Sequence, residues 1–262
     1  MIQFGTGGFR AVIGDDFTRA NVELLAQGLI NKMKAEGAEN SPLIIGYDRR
    51  FLSDIAAKWI SGVFAANGIH VQFINREAPT PLIMFVVKQT GALYGMAITA
   101  SHNPAEYNGV KVFTKGGRDA SKEVTNDLEG YINCLTAADV RTMPFDEGVK
   151  AGLIELIDPM NDYIDSILSF VDIDKIKAKK MRILLDPMFG VSKTSLQTIL
   201  LTCRCDVDVI NDRHDALFGG RLPSPSAKTL TRLSTMVVEG HYDLGIATDG
   251  DADRIGLIDS EG

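Results

Sequence analysis

Three aspartates alternate with small residues in Asp249-Gly250-Asp251-Ala252-Asp253, and Arg254 follows. Carboxylates spaced by two can converge on one cation if the backbone turns, and Gly250 and Ala252 are small enough to let it. Hard oxygen donors suit Mg²⁺ or Ca²⁺. Three anions this close also repel one another, so a cation is needed to relieve them. A helix-flanked calcium loop would want Gly at its sixth position and Glu at its twelfth. Arg254 and Ser260 stand there, and the flanks read as strands. A surface acidic turn is the plain alternative.

A second constellation is Thr99-Ala100-Ser101-His102-Asn103-Pro104. Pro104 stops a strand, so Ser101 falls on a turn and is expected to be exposed there. His102 can hydrogen-bond the hydroxyl or a phosphate on it. The Gly-x-Ser-x-Gly elbow of serine hydrolases is absent, and residues adjacent in sequence rarely form a triad pair. Taken alone, the Ser-His pair reads as an ordinary polar turn. Taken with the aspartates it gains chemistry. Magnesium usually keeps few protein carboxylates and completes its shell with water or phosphate oxygens. A phosphorylated Ser101 would supply such an oxygen, and the ion would neutralise charge as the phosphoryl group moves.

These loops need strands to present them, since ligands of open α/β sheets bind beyond the carboxyl ends of strands. Leu93–Thr99 reads as a strand leading into the serine loop, and Leu244–Thr248 as one leading into the aspartate loop. Upstream of Ser101, Val22, Leu25, Leu29 and Met33 fall at helical spacing and Gly37 ends the run. Leu43–Gly46 reads as a strand, and Ser53 caps a helix that closes at Asn67-Gly68. Val71–Ile74 is a strand, Pro79–Thr90 a loop and helix, and Val110–Thr114 a strand. The second half repeats the rhythm. Strands are expected at Met181–Leu185, Val207–Ile210 and Ile255–Ile258, and helices at Ser192–Leu201 and Ser226–Glu239. Alternating strands and helices indicate α/β layers with largely parallel sheets. The stretch from about Asn133 to Asp158, with Pro144, Gly148 and several acids, is expected to connect the halves.

The bulk numbers fit a globular chain. Of 262 residues 45% are apolar, enough for a sizeable core, and the net charge of −7 argues against a nucleic-acid partner. Lys and Arg are scattered, though local cations can still hold an anionic small substrate. Cys134, Cys203 and Cys205 are too few for a disulfide framework and fit a reducing compartment. Cys203 and Cys205 are expected to point the same way on a strand and pack. No leader pattern opens the sequence, and the longest apolar run, Leu82–Val87, is too short to span a bilayer. A cytoplasmic protein with no membrane partner is expected.

Further motifs make a family visible. The two loops resemble the signature loops of the α-D-phosphohexomutases, which include phosphoglucomutases and phosphomannomutases. Phe4-Gly5-Thr6-Gly7-Gly8-Phe9-Arg10 is similar to their N-terminal loop, and Gly46-Tyr47-Asp48 with Arg50 to their Gly-x-Asp-x-Arg turn. Pro79-Thr80-Pro81, Asn108-Gly109-Val110-Lys111 and Phe218-Gly219-Gly220-Arg221 with Pro223 and Pro225 follow in the family's order. The resemblance implies two tandem three-layer α/β/α domains with largely parallel mixed sheets. Residues 1–140 would be domain I with the phosphoserine loop, and 155–262 domain II with the metal loop. It implies Ser101 as the phosphate carrier and a further Mg²⁺ ligand, beside Asp249, Asp251 and Asp253. Lys111 would be a general acid/base, His102 a positioning neighbour, and Arg10 and Arg254 phosphoryl-stabilising. Asn103 would shape the loop by bonding backbone.

The implied reaction interconverts hexose 1-phosphate and hexose 6-phosphate through a bound hexose 1,6-bisphosphate. Family members carry a third domain for sugar recognition and a fourth for the non-transferring phosphate, and neither motif is present. Those domains III and IV of a parent chain are the expected partners, together with a phosphosugar substrate. Little turnover is expected of these residues alone. Phosphoglucosamine and phosphopentose mutases stay open as alternatives, as does a non-catalytic metal- or phosphate-binding module.

Overall fold

The computed structural model describes residues 2–5 and 8–262. The chain divides into two units: residues up to Ala100 with Glu106–Asp158, and Ser101–Ala105 with Pro159–Gly262.

The first unit runs β1 (Phe9–Val12), α1 (Arg19–Ala35), β2 (Leu43–Tyr47), α2 (Ser53–Ala66), β3 (Val71–Glu77), α3 (Thr80–Thr90), β4 (Tyr94–Ile98), β5 (Tyr107–Thr114), β6 (Arg118–Asp119), α4 (Lys122–Asn133), α5 (Phe145–Lys150) and β7 (Ile154–Ile157). The sheet order is β1-β5-β4-β2-β3-β7, with β6 on β5. β4, β2, β3 and β7 are parallel, β5 runs antiparallel to β4, and β1 pairs antiparallel with β5 and so shares the direction of the others. Leu25, Leu29 and Met33 of α1, and Ile60 and Phe64 of α2, cover one face over Leu43, Ile45, Met96 and Ile98. α3 covers the other. A Cβ at Gly46 would stand 2.7 Å from Ile83, and one at Gly95 2.4 Å from Val87, so glycine lets α3 lie close on the sheet.

The second unit holds α6 (Met160–Phe170), α7 (Ile173–Lys179), β8 (Arg182–Asp186), α8 (Lys193–Thr202), β9 (Asp206–Val209), α9 (Thr231–Glu239), β10 (Leu244–Thr248) and β11 (Ile255–Asp259). Its sheet order is β11-β10-β8-β9, parallel except for β11. Leu233 and Val237 of α9 pack on Leu184 and Ala247. Ile183, Leu185 and Ile246 face the opposite way, toward Leu168, Ile176 and Leu196 of α6, α7 and α8. Both units are therefore three-layer α/β/α structures with largely parallel sheets. Among the described residues, no helix is long and apolar enough to cross a membrane.

The structure departs from the sequence expectations at several points. Ser53 opens α2 without capping it; Leu52 takes the cap position at φ 67°, and the Ser53 hydroxyl donates to Asp48 Oδ1 at 2.8 Å. A buried carboxylate has no water to turn to, so it takes the hydroxyl. The stretch expected to connect the halves forms α5 and β7, and β7 pairs with β3. Pro144, Gly148 and acids mask it because an edge strand buries few side chains. The helix expected from Ser226 starts at Thr231, and Thr229 instead ties a turn by donating to the Ser226 carbonyl at 3.0 Å. Cys203 and Cys205 are free and buried, but they follow α8 and precede β9.

Candidate functional site

The aspartate loop leaves the carboxyl end of β10. Thr248 donates to the Ser192 hydroxyl at 2.7 Å, which pins the strand end to the start of α8. The Asp249 carboxylate then organises the loop: its Oδ1 accepts the N–H groups of Asp253 and Arg254, both at 3.0 Å. Ala252 holds φ 60°, a left-handed conformation that costs a non-glycine residue free energy and recurs at functional loops. One carboxylate oxygen from each of Asp249, Asp251 and Asp253 lies within 4.8 Å of the others. Asp249 and Asp251 are fully buried and Asp253 is exposed.

Electrostatics make this an unsettled arrangement without a cation. Burial, then the charges of Asp251 and Asp253, push the Asp249 carboxyl up to about 8, although Ser101 and the Arg254 N–H oppose the shift. With their oxygens within 4.8 Å of one another, the three carboxylates would have to draw together to share one hard ion. The donor set fits a divalent cation. Arg254 Nε stands 4.0 Å from Asp253 Oδ1 at the rim.

The serine loop belongs with the second unit. Ser101 adopts φ 53° and is fully buried. This corrects the expectation of an exposed serine: the left-handed backbone turns the side chain inward. Its Oγ donates to Asp249 Oδ2 at 2.8 Å and lies 3.4 Å from His102 Nδ1. A Cβ at Gly250 would come within 2.9 Å of the Ser101 carbonyl oxygen, so this glycine serves close approach of two loops. Asn103 is half-buried in the same turn.

Arg10 and Lys111 lie in the first unit. Arg10 on β1 is paired with Gly109 of β5, two residues before Lys111. Lys111 is only 4% exposed, so it does not face solvent. It lines a cavity of about 550 Å³ with Phe4, Gly5, Gly8, Asp119 and Lys122. Gly8, at φ 124°, lies so close to β5 that an added Cβ would meet the Val110 carbonyl at 2.5 Å. Thr6 and Gly7 of that N-terminal motif lie outside the described residues. The structure thus groups Ser101, His102, Asn103, the three aspartates and Arg254 in one unit, and Arg10 and Lys111 on paired strands of the other.

Sequence reasoning assigned no role to Asp48, which holds the strands that flank the serine loop. Asp48 accepts from Thr99 Oγ1 at 2.6 Å, Ser53 Oγ at 2.8 Å and the Arg50 N–H at 2.9 Å, and pairs with Arg50 Nε at 3.4 Å. Arg50 also donates to the Tyr107 carbonyl, and Asn108 to Ser53 and the Phe51 carbonyl. Burial pushes the Asp48 carboxyl up, against the pull of Arg50 and the donors. The network joins β2, α2 and the ends of β4 and β5. The available signal was an acid placed after an apolar strand and before Arg50 and Ser53.

Comparison with known proteins agrees with this geometry. Residues 1–138 match the family model for phosphoglucomutase/phosphomannomutase alpha/beta/alpha domain I, and residues 161–262 that for domain II. The chain is 35% identical over 262 residues to the phosphoglucosamine/phosphogalactosamine mutase of Sulfurisphaera tokodaii, covering 99% of this chain and 55% of that protein. It is 29% identical over 259 residues to the phosphoglucomutase/phosphomannomutase of Thermococcus kodakarensis, with 99% and 55% covered. A crystal structure from Thermus thermophilus, assigned provisionally as a phosphomannomutase, superposes with a TM-score of 0.89 at 29% identity, over 99% of this chain and 57% of that one. The chain spans about half the length of the curated relatives it matches. Two matched α/β/α units, each ending a strand in one of the two loops, leave one assignment: the chain belongs to the phosphoglucomutase/phosphomannomutase family.

Proposed function

We propose that this chain carries the phosphate-bearing and metal-holding half of a phosphohexomutase, which interconverts hexose 1-phosphate and hexose 6-phosphate. The observation that carries the reading is the 2.8 Å hydrogen bond from Ser101 Oγ to Asp249 Oδ2 inside the aspartate cluster. It puts a hydroxyl able to bear phosphate against the carboxylates able to hold Mg²⁺. When bound by Asp249, Asp251 and Asp253, with Ser101 as a further ligand, Mg²⁺ would supply charge neutralisation at the phosphoryl oxygens.

The chain's own residues would divide the remaining work. Phosphorylated Ser101 donates: its Oγ–P bond breaks as a sugar hydroxyl oxygen forms a bond to phosphorus, giving a 1,6-bisphosphate. The bisphosphate turns over and returns its other phosphate to Ser101 by the reverse exchange. The hydroxyl that accepts phosphate must lose a proton, and Lys111 is assigned that transfer on its motif. His102, 3.4 Å from the serine Oγ, orients the hydroxyl or its phosphate. Arg254, at the rim of the cluster, and Arg10 are assigned charge stabilisation of the phosphoryl group, and Asn103 the shape of the turn.

Intact-mass analysis after incubation with Mg²⁺ and glucose 1,6-bisphosphate tests the reading. One phosphate should appear on Ser101 and vanish in Ser101→Ala. An unlabelled Ser101 would favour a non-catalytic binding module. The named relatives act on amino sugars in one case and on neutral hexoses in another. Loss of phosphate from phosphorylated Ser101 on incubation with a panel of hexosamine and hexose phosphates decides between them.

A further inference from the structure

In the motif Phe218-Gly219-Gly220-Arg221, the Phe218 ring lies against Gly250 of the aspartate loop, whereas Gly219 and Arg221 line a different concavity of about 490 Å³ in the second unit. Phe189, Asn211, Arg213, Gly219, Arg221 and Arg232 line it. Three guanidiniums in one depression stand out in a chain with a net charge of −7.

The acids nearby are already engaged. Asp212, also on the wall, pairs with Lys193, and Asp215 pairs with Arg213 at 3.3 Å. Asp186 accepts from Asn211 Nδ2 at 2.9 Å and from the Met188 N–H at 2.8 Å. Among the described residues, neither Arg221 nor Arg232 forms a close ion pair; both act at longer range on the buried Asp186 carboxylate, whose charge they favour. Arg221 is half-buried, and its planar fork of donors suits a bidentate oxyanion.

The walls are built as well as charged. Phe189, Asn211 and Gly219 hold φ values of 63°, 51° and 64°. A Cβ at Gly219 would strike the Phe189 ring at 2.6 Å, so the glycine lets the loop close onto that ring. Arg213 stacks over the same ring at 5.7 Å from its centroid. For Phe189 and Asn211 the left-handed conformation costs free energy, and such residues cluster where ligands are held. The depression lies past the ends of β8 and β9, where open α/β sheets place ligands. Its volume falls in the range of small-molecule sites and exceeds the need of a bare inorganic ion.

We propose that this pocket is a second anion site, separate from the serine–aspartate cluster, in which Arg221 and Arg232 grip the phosphate of a small phosphomonoester while Arg213 and Phe189 frame it. The site is independent of the catalytic reading above, since it uses none of those residues.

The test is an amide NMR titration of the 262-residue chain in EDTA, with inorganic phosphate and glucose 6-phosphate as separate probes. Shifts should centre on Asn211, Gly219 and Arg221, and should persist in Asp251→Asn. Arg221→Ala with Arg232→Ala should weaken binding by about tenfold or more, as expected for losing charge-assisted donors. The paired lysine variant keeps the charge but loses the fork, and should fall between; it carries the test if the alanine pair does not fold. Tighter binding of glucose 6-phosphate identifies a phosphomonoester occupant, and equal affinity identifies the phosphate group alone as what is read; both support an anion site. Shifts confined to residues 101–105 and 249–254 overturn the proposal, as does unchanged affinity in a folded alanine pair.

Discussion

Ser101 shows how one side chain gains a role from its backbone. Its φ of 53° costs of order 1–3 kcal/mol for a non-glycine residue, and it sets the hydroxyl against Asp249 and His102. The aspartates store a related tension, because Asp251 and Asp253 help drive Asp249 up to about 8. Asp251→Asn should therefore act in opposite directions on two readouts. Without metal, relief of repulsion should raise the thermal midpoint by a few degrees, as about 1 kcal/mol does in a domain of this size. Calorimetric titration with Mg²⁺ should show binding weakened by at least the roughly tenfold to hundredfold seen on losing a supporting ligand contact. A variant that loses stability and keeps its affinity would show that the cluster is only an acidic turn. Ser101→Ala is predicted to fold normally by circular dichroism, to bind Mg²⁺ and to take up no phosphate.

At the scale of elements, the serine turn leaves β4 and returns to β5, and these two strands must be tied together. Asp48, with Arg50, Ser53 and Thr99, does that in a buried network where charge is compensated by donors. Asp48→Ala would remove the carboxylate that pairs with Arg50, whose side chain is fully buried. Breaking a buried pair this way costs about 3–5 kcal/mol, readable as a lower denaturation midpoint in urea. Thr99→Val removes one donor to a charged acceptor and should cost about 1–3 kcal/mol. A near-neutral Asp48→Ala would mean that the network does not brace the strands.

At the scale of the whole molecule, the first unit is fastened by charge as well as by its apolar core. Lys32 of α1 bonds Asp127 of α4 and Glu36, and Tyr94 of β4 donates to Glu36 at 2.6 Å. Burial opposes the Lys32 ammonium, but the bonds to Asp127 and Glu36 outweigh it, so its pKa lies above the ordinary lysine value. Burial and Glu36 also hold the Tyr94 phenol above its usual value. Both folded values exceed the unfolded ones. Their stabilising contributions are therefore complete below about pH 10 and are lost as pH rises through the raised values. Urea midpoints measured at about pH 8 and about pH 11, on either side of the unfolded lysine and tyrosine values, should fall with alkalinity, and less so in Lys32→Met. An equal fall in both chains would remove this network as the cause.

The α/β class and both site loops were legible in the residues themselves, because period-two and period-3.6 apolar patterns are local and because Asp249, Asp251 and Asp253 sit in one short run. Gly250 was legible as a small residue, but its use, room for the Ser101 carbonyl, was not. β1 and β7 escaped notice because short or edge strands bury few side chains and carry weak alternation. The burial of Ser101 could not be read from Pro104, since whether a turn faces water depends on what packs against it. Asp48 meets Thr99 across 51 residues, and Arg213 and Arg221 on loops line one depression with Arg232 of α9. Sequence determined which groups exist and which local elements carry them. Tertiary structure alone decided which carboxylates share one buried space, which serine turns into it and which arginines gather around one depression, because those outcomes rest on desolvation and distance between residues remote along the chain.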